Sequence, residues 1–182
     1  LVFQGIEAIA RNKNHKVADL RLFELGRTYA KTAYGYSETE HLSLFVSGNK
    51  SKENWNEKST DSDLFTIKEG VWALLSQIGI AAKVTERPDE GGLLLEGSEI
   101  LLGEKSIGRF GLVHPDVVEM CGMDGAVYWA DLLVKPLLKA RKKRKIVAYD
   151  LPKFPSVRRD LSLIIDKSVS FEQIKSAAFE TE

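Results

Sequence analysis

The stretch from Thr66 to Gly79 constrains the fold of this chain more than any other. Ile67, Val71, Leu74, Leu75 and Ile78 recur at i, i+4, i+7, i+8 and i+11, which places them on one face of a helix. Thr66 and Glu69 have the spacing of a capping box, in which each side chain satisfies a backbone N–H of the first turn. Gly79 stands where a left-handed residue ends a helix. A helix apolar on one side must lie on another apolar layer, and the flanking sequence supplies strands for it. Asp19 to Ala30 is rich in Leu, Phe and Tyr, and His41 to Ser47 sets Leu42, Leu44 and Val46 against Ser43 and Phe45. That period of two marks a pair of strands, antiparallel to each other.

Further strands are expected over Ala82–Glu86, Leu93–Glu96, Glu99–Leu102, Ser106–Val113 and Val127–Val134, with Gly-rich joints suited to hairpins. Residues 6–16 read as a short helix, Asn49–Ser62 as a polar loop, and His114-Pro115 as the start of a helical turn through Met120. Pro136 fits the first turn of another short helix through Ala140. The expected class is α+β, an antiparallel sheet flanked by helices.

Apolar residues make up 43% of the 182, enough for a real core. The single cysteine, Cys121, excludes an internal disulfide framework and a four-thiolate zinc site, and fits a reducing, cytoplasmic location. No run reaches the roughly 18 apolar residues of a membrane helix, and no secretory signal opens the chain. Without an initiator Met, the sequence reads as a piece of a longer protein.

The zero net charge hides two opposed regions. Glu53 to Asp124 holds 14 acidic and 6 basic residues, whereas Lys135 to Asp160 holds 10 basic and 2 acidic. Such a split suits two surfaces with opposite partners, or charges that neutralise each other within the fold. Within the basic region, Lys139 to Lys145 (KARKKRK) is the sharpest break. Tyr149 to Pro155 reads as an ordered linker. Val157, Leu161, Leu163 and Ile165 mark a strand, and Ser170 caps a helix opening at Phe171. A lone strand at 157–166 is unstable in water, so it should pair with the main sheet, pair with another copy, or be poorly ordered.

Two stretches carry a resemblance to a known family. Arg11-Asn12 and Leu20-Arg21-Leu22 lead into Phe23-Glu24-Leu25-Gly26-Arg27-Thr28-Tyr29, which resembles a strand of bacterial phenylalanine–tRNA ligase β chains. Lys153-Phe154-Pro155-Ser156-Val157-Arg158-Arg159-Asp160-Leu161 is similar to the segment opening that family's C-terminal anticodon-binding domain. Phe65 to Gly79, Gly108 to Pro115 and Tyr128 to Leu132 match between them, in the family's order. Arg87 to Gly92 departs from the pattern.

The resemblance implies a place in the C-terminal half of the β chain. Residues 1–148 would form a class II aminoacyl-tRNA synthetase-like, non-catalytic core module, and residues 149–182 a truncated ferredoxin-like segment. It implies an (αβ)₂ tetramer whose α chain performs aminoacylation of tRNA(Phe) with ATP and Mg²⁺, with no cofactor in this fragment and no membrane or DNA partner. This module would serve structure and assembly. The alternative is a stand-alone RNA-binding accessory protein derived from a synthetase.

Class II chemistry calls for an arginine just past the first long strand, to neutralise the α-phosphate. If Tyr29 ends that strand, Ala30-Lys31-Thr32 follow, and lysine lacks the bidentate fork of arginine. Leu44 occupies the neighbourhood of an expected glutamate, and Val134 to Arg141 contains no glycine. No catalytic residue is assigned.

Lys139, Arg141, Lys142, Lys143, Arg144, Lys145, Arg158 and Arg159 are the candidates for tRNA phosphate contacts. The plainer account is a solvated flank, with Arg158 and Arg159 pairing to Asp160 or its neighbours. His114 reads as a turn or helix-starting residue rather than a general base, and His15 and His41 lie in unrelated contexts. Cys121 reads as a packed thiol, Trp72 and Leu75 as core, and the glycines near 103–111 as hairpin residues.

Overall fold

A computed structural model describes residues 1–33, 35–51, 55–56, 58–141, 157 and 160–180, with Ala82 described by its backbone alone. The chain divides into two compact units, Leu1–Arg144 and Lys145–Glu182.

The first unit is an α+β sheet protein. Its elements are α1 (Val2–Asn14), β1 (Leu20–Thr32), β2 (Gly35–Ser47), β3 (Asn49–Ser51), β4 (Thr60–Asp61) and α2 (Leu64–Ile78). They continue as β5 (Val84–Pro88), β6 (Leu94–Leu102), β7 (Lys105–Val113), α3 (Pro115–Met120), β8 (Val127–Leu133) and α4 (Val134–Ala140). Six strands form one sheet in the order β1-β2-β8-β7-β6-β5, every neighbouring pair antiparallel. β3 and β4 form a separate two-stranded ladder inside the stretch expected as a loop. Pro88, which has no N–H to give, lies on the edge strand β5.

The sheet buries both faces under different partners. On one, Ile67, Val71 and Leu75 of α2 meet Phe110, Ala130, Leu132 and Ile100. Trp72 stands edge-on to Phe110, with ring centroids 5.8 Å apart. On the other, Ile6 and Ile9 of α1 meet Phe45, Val113, Val127 and Trp129.

The apolar face of α2 is the one the sequence predicts, but the helix starts earlier. Asp63, not Thr66, is the N-cap: its carboxylate accepts from the Thr66 N–H at 2.8 Å, and the Thr66 hydroxyl answers the Asp63 N–H at 3.2 Å. Glu69 is exposed and plays no part in the cap. The side-chain and backbone hydrogen bonds from Thr66 hold the Asp63 carboxyl below the ordinary aspartate range. Replacing Asp63 by alanine should therefore lower thermal stability by about 1 kcal/mol at neutral pH. Because the folded pKa is depressed, this contribution is present above the unfolded value near ~4 and fades as pH falls through the folded one. A gap between wild type and variant that persists unchanged in strong acid would contradict the cap's role.

Three other expectations are corrected. β6 is one continuous strand where two were expected; pairing with β5 and β7 on either side carries it across Gly97-Ser98, with bulges against β7. Helix α1 runs over 2–14 rather than 6–16. The β1–β2 hairpin is longer than predicted: β1 continues past Tyr29 to Thr32, and β2 begins at Gly35, not His41. Since β8 pairs with β2 only between His41 and Ser47, residues 27–32 and 35–40 pair with each other alone, as a two-stranded arm. Arg27 holds the arm's strands together through Glu38 and Glu40, both at 2.8 Å.

In the second unit the described element is α5 (Phe171–Glu180). Ser170 starts it as expected: the Gln173 N–H donates to its hydroxyl at 3.3 Å, and the Gln173 side chain accepts from the Ser170 N–H at 2.8 Å. No strand forms among the described residues of 157–166. The alternation of Leu161, Leu163 and Ile165 specifies a face, but a strand also needs a ladder partner for its backbone groups.

Candidate functional site on the α1 face of the sheet

In an antiparallel sheet, directly opposed residues point to the same face. The register aligns one residue from each of the six strands: Arg87, Glu99, Arg109, Asp131, Ser43 and Glu24, in spatial order β5-β6-β7-β8-β2-β1. This row lies on the same face as Phe45 and Trp129, which stand two residues away along β2 and β8.

The row is largely self-neutralised. Arg87 Nε donates to Glu99 Oε2 at 2.6 Å, and Arg109 Nη1 stands 3.4 Å from Asp89 Oδ1. The Ser106 hydroxyl, then Arg87, hold the Glu99 carboxyl below its usual range.

Beside it sits a hydrogen-bonded relay. Asp131 Oδ1 accepts from the Ser43 hydroxyl at 3.0 Å, and Asp131 Oδ2 is 2.8 Å from His41 Nδ1. The carboxylate oxygen accepts from Nδ1–H, and Nε2 stands 2.9 Å from the Thr28 hydroxyl. Ser43 is fully buried, and the His41 and Asp131 side chains are 14% and 17% exposed. Hydroxyl, imidazole and carboxylate stand in the order used for activated nucleophiles. Here they also join the arm (Thr28) to its root (His41) and to β8 (Asp131).

Sequence reasoning missed this relay. His41 and Asp131 are 90 residues apart and meet through strand pairing alone. A signal was present in β2, where polar His41 and Ser43 alternate with Leu42 and Leu44 and so mark a polar side. His114 behaves as expected: it is the N-cap of α3 and accepts from the Asp116 N–H at 3.3 Å. Cys121 is half-buried, and burial pushes its thiol pKa up, away from a reactive thiolate.

Two of the proposed phosphate contacts fall among the described residues. Lys139 is exposed in the last turn of α4, and Arg141 is exposed at its C-cap. Lys142, Lys143, Arg144, Lys145, Arg158 and Arg159 lie outside the described residues. Leu44, expected near the start of its strand, stands three residues before the end of β2 opposite Phe23, and Ala30 and Lys31 lie within β1 rather than past it. No described helix is long and apolar enough to cross a membrane.

Comparison with known proteins sets this sheet among the subunits of aminoacyl-tRNA ligases. The chain belongs to the phenylalanyl tRNA synthetase beta chain CLM domain family, whose model matches residues 1–134. It is 34% identical to the phenylalanine–tRNA ligase beta subunit of Bacteroides thetaiotaomicron, over all of this chain and 24% of that protein. The beta subunits of Porphyromonas gingivalis and Dehalococcoides mccartyi are each 31% identical, over 98% and 92% of the chain and 23% and 21% of theirs. The chain thus spans about a quarter of the length of these relatives.

Proposed function

We propose that this chain is a non-catalytic structural and assembly module of a phenylalanine–tRNA ligase, from the C-terminal half of its beta subunit. In this reading the six-stranded sheet is a class II synthetase scaffold. Aminoacylation of tRNA(Phe), with ATP and Mg²⁺, belongs to an alpha subunit within a cytoplasmic (αβ)₂ tetramer. Residues 149–182 open a ferredoxin-like anticodon-binding domain.

The observation that carries the non-catalytic reading is the charge row. ATP brings a polyphosphate, which needs unpaired guanidinium or metal-holding carboxylates aimed at it. Arg87 and Arg109 are engaged by Glu99 and Asp89. Arg27 belongs to the other face of the hairpin, where Glu38 and Glu40 hold it. Glu24, Asp131, Glu99 and Asp89 outnumber the two arginines, so the face opposes an added polyanion. These residues do not fit the nucleotide. Where family motifs are carried over, α4 contains no glycine in the place of the Gly-rich helix of active members.

Assayed alone with phenylalanine, ATP and radiolabelled pyrophosphate, the chain is expected to show no exchange above a protein-free blank. Exchange by the purified chain, with no alpha subunit present, would end this reading. The exposed Lys139 and Arg141, with the cations that follow in sequence, suit contact with tRNA phosphates on the same assembly.

A further inference from the structure

The hydrogen-bonded relay on the α1 face has a buried end and an open end. Ser43 is fully buried, His41 and Asp131 are largely so, and Thr28 is exposed on β1. Asp131 accepts from the Ser43 hydroxyl with one oxygen and from His41 Nδ1–H with the other. The imidazole is thus held by a carboxylate that is itself held. A neutral ring that donates from Nδ1 carries its lone pair on Nε2. Here Nε2 faces the Thr28 hydroxyl, 2.9 Å away.

The approach to Thr28 is open. On this face of the hairpin Gly26 lies opposite His41, Thr28 opposite Thr39, and Ala30 opposite Ser37. Thr28 is therefore flanked along β1 by glycine and alanine and met across the ladder by small side chains. A Cβ at Gly26 would overlap the Leu1 side chain, which places Leu1 against the strand as an apolar wall beside the pair. The nearby carboxylates of Asp131 and Glu24 disfavour an anionic reactant. The backbone adds a donor. Successive N–H groups of an antiparallel strand point to opposite edges, so either Thr28 or Tyr29 directs its N–H away from β2. β1 is the outermost strand, and that N–H has no ladder partner among the described residues.

We propose that Thr28 is an activated nucleophile, acylated by neutral esters that carry an apolar acyl group and a good leaving group. Thr28 Oγ attacks the ester carbonyl while its proton passes to His41 Nε2, and the imidazolium forms against Asp131. The tetrahedral adduct then breaks its bond to the leaving oxygen, which departs with the electron pair and takes the proton from Nε2. An ester on Thr28 remains. A single backbone donor makes a weak oxyanion site, so hydrolysis of that ester is slow and the adduct accumulates. His41 handles the reacting proton, and Asp131 is a positioning residue that fixes the ring. The reaction uses neither ATP nor an alpha subunit, so it stands apart from the assembly reading, and pyrophosphate exchange does not report on it.

The probe is p-nitrophenyl butyrate, with acylated positions located by peptide mapping and mass spectrometry after short exposure of the folded chain. Thr39, exposed across the ladder on the same face, is the internal comparison. Thr28 should be acylated about a hundredfold faster than Thr39, the contribution of a placed general base. Thr28→Ser, which removes the crowding methyl group, should react faster still. His41→Gln should bring Thr28 down to the rate of Thr39. In Asp131→Asn an amide whose oxygen stays on Ser43 turns its N–H toward Nδ1, which moves the ring proton to Nε2. Acylation should then slow about tenfold or more, whereas a merely structural Asp131 would leave the rate of the folded chain unchanged. The comparison within the wild-type chain requires no variant to fold. Equal labelling of Thr28 and Thr39, or undiminished labelling of Thr28 in a folded His41→Gln or Asp131→Asn chain, overturns the proposal.

Discussion

Replacing Asp131 by alanine is expected to destabilise the first unit by about 3 kcal/mol. The carboxylate serves two groups at once, the fully buried Ser43 hydroxyl and the Nδ1 of a largely buried His41. Removing it leaves both without their acceptor, and each buried orphan costs about 1–3 kcal/mol. For a chain of this size the melting temperature should fall by about 6–12 °C. Asp131→Asn should lose less, because an amide oxygen can still accept from one of the two groups. Thermal melts of the three proteins at pH 7 decide it. A loss below about 1 kcal/mol for the alanine variant would mean that water serves Ser43 and His41 as well as the carboxylate does.

The second large effect lies on the opposite face of the sheet. Phe110→Ala should cost about 3–5 kcal/mol. Phe110 is 1% exposed, sits under Val71 and Leu75 of α2, and gives its ring to the edge of Trp72. Lys68 adds to the assembly, its ammonium 5.1 Å from the Trp72 ring centroid and 5.9 Å from that of Phe110. Phe110→Leu keeps much of the volume and should retain more than half of the lost stability. Denaturant midpoints give the comparison. A midpoint for the alanine variant within experimental error of wild type would show that α2 is not held through this residue.

The parts of this fold that sequence reveals are those whose pattern is local. Ile67, Val71 and Leu75 announce the buried face of α2 because a helix repeats within one turn. Its start is less legible, because Asp63-x-x-Thr66 and Thr66-x-x-Glu69 overlap as candidate caps. Only packing chooses between them, by burying Thr66 and leaving Glu69 in solvent. The arm was invisible for a related reason. Lys31, Ser37, Glu38 and Glu40 show no alternating burial, and what keeps them in strands is continuity with the core half of the hairpin. The relay was least legible. Thr28, His41 and Asp131 come from three strands, and no spacing within one strand encodes their meeting. The opposed charge regions seen in sequence resolve in part within the acidic half, where Arg87 and Arg109 take up Glu99 and Asp89, and Lys68 takes up Glu86 at 2.7 Å.

The polar row across the six strands also acts as a key for alignment. If β7 slid by a single position, Arg109 would be driven into the oily layer beneath α2 while Phe110 turned outward. The same slip in β8 would carry Asp131 into that layer and expose Leu132. β7 and β8 can therefore each dock in only one frame without stranding an ion in hydrocarbon. The polar face of the sheet thus dictates how its strands are threaded.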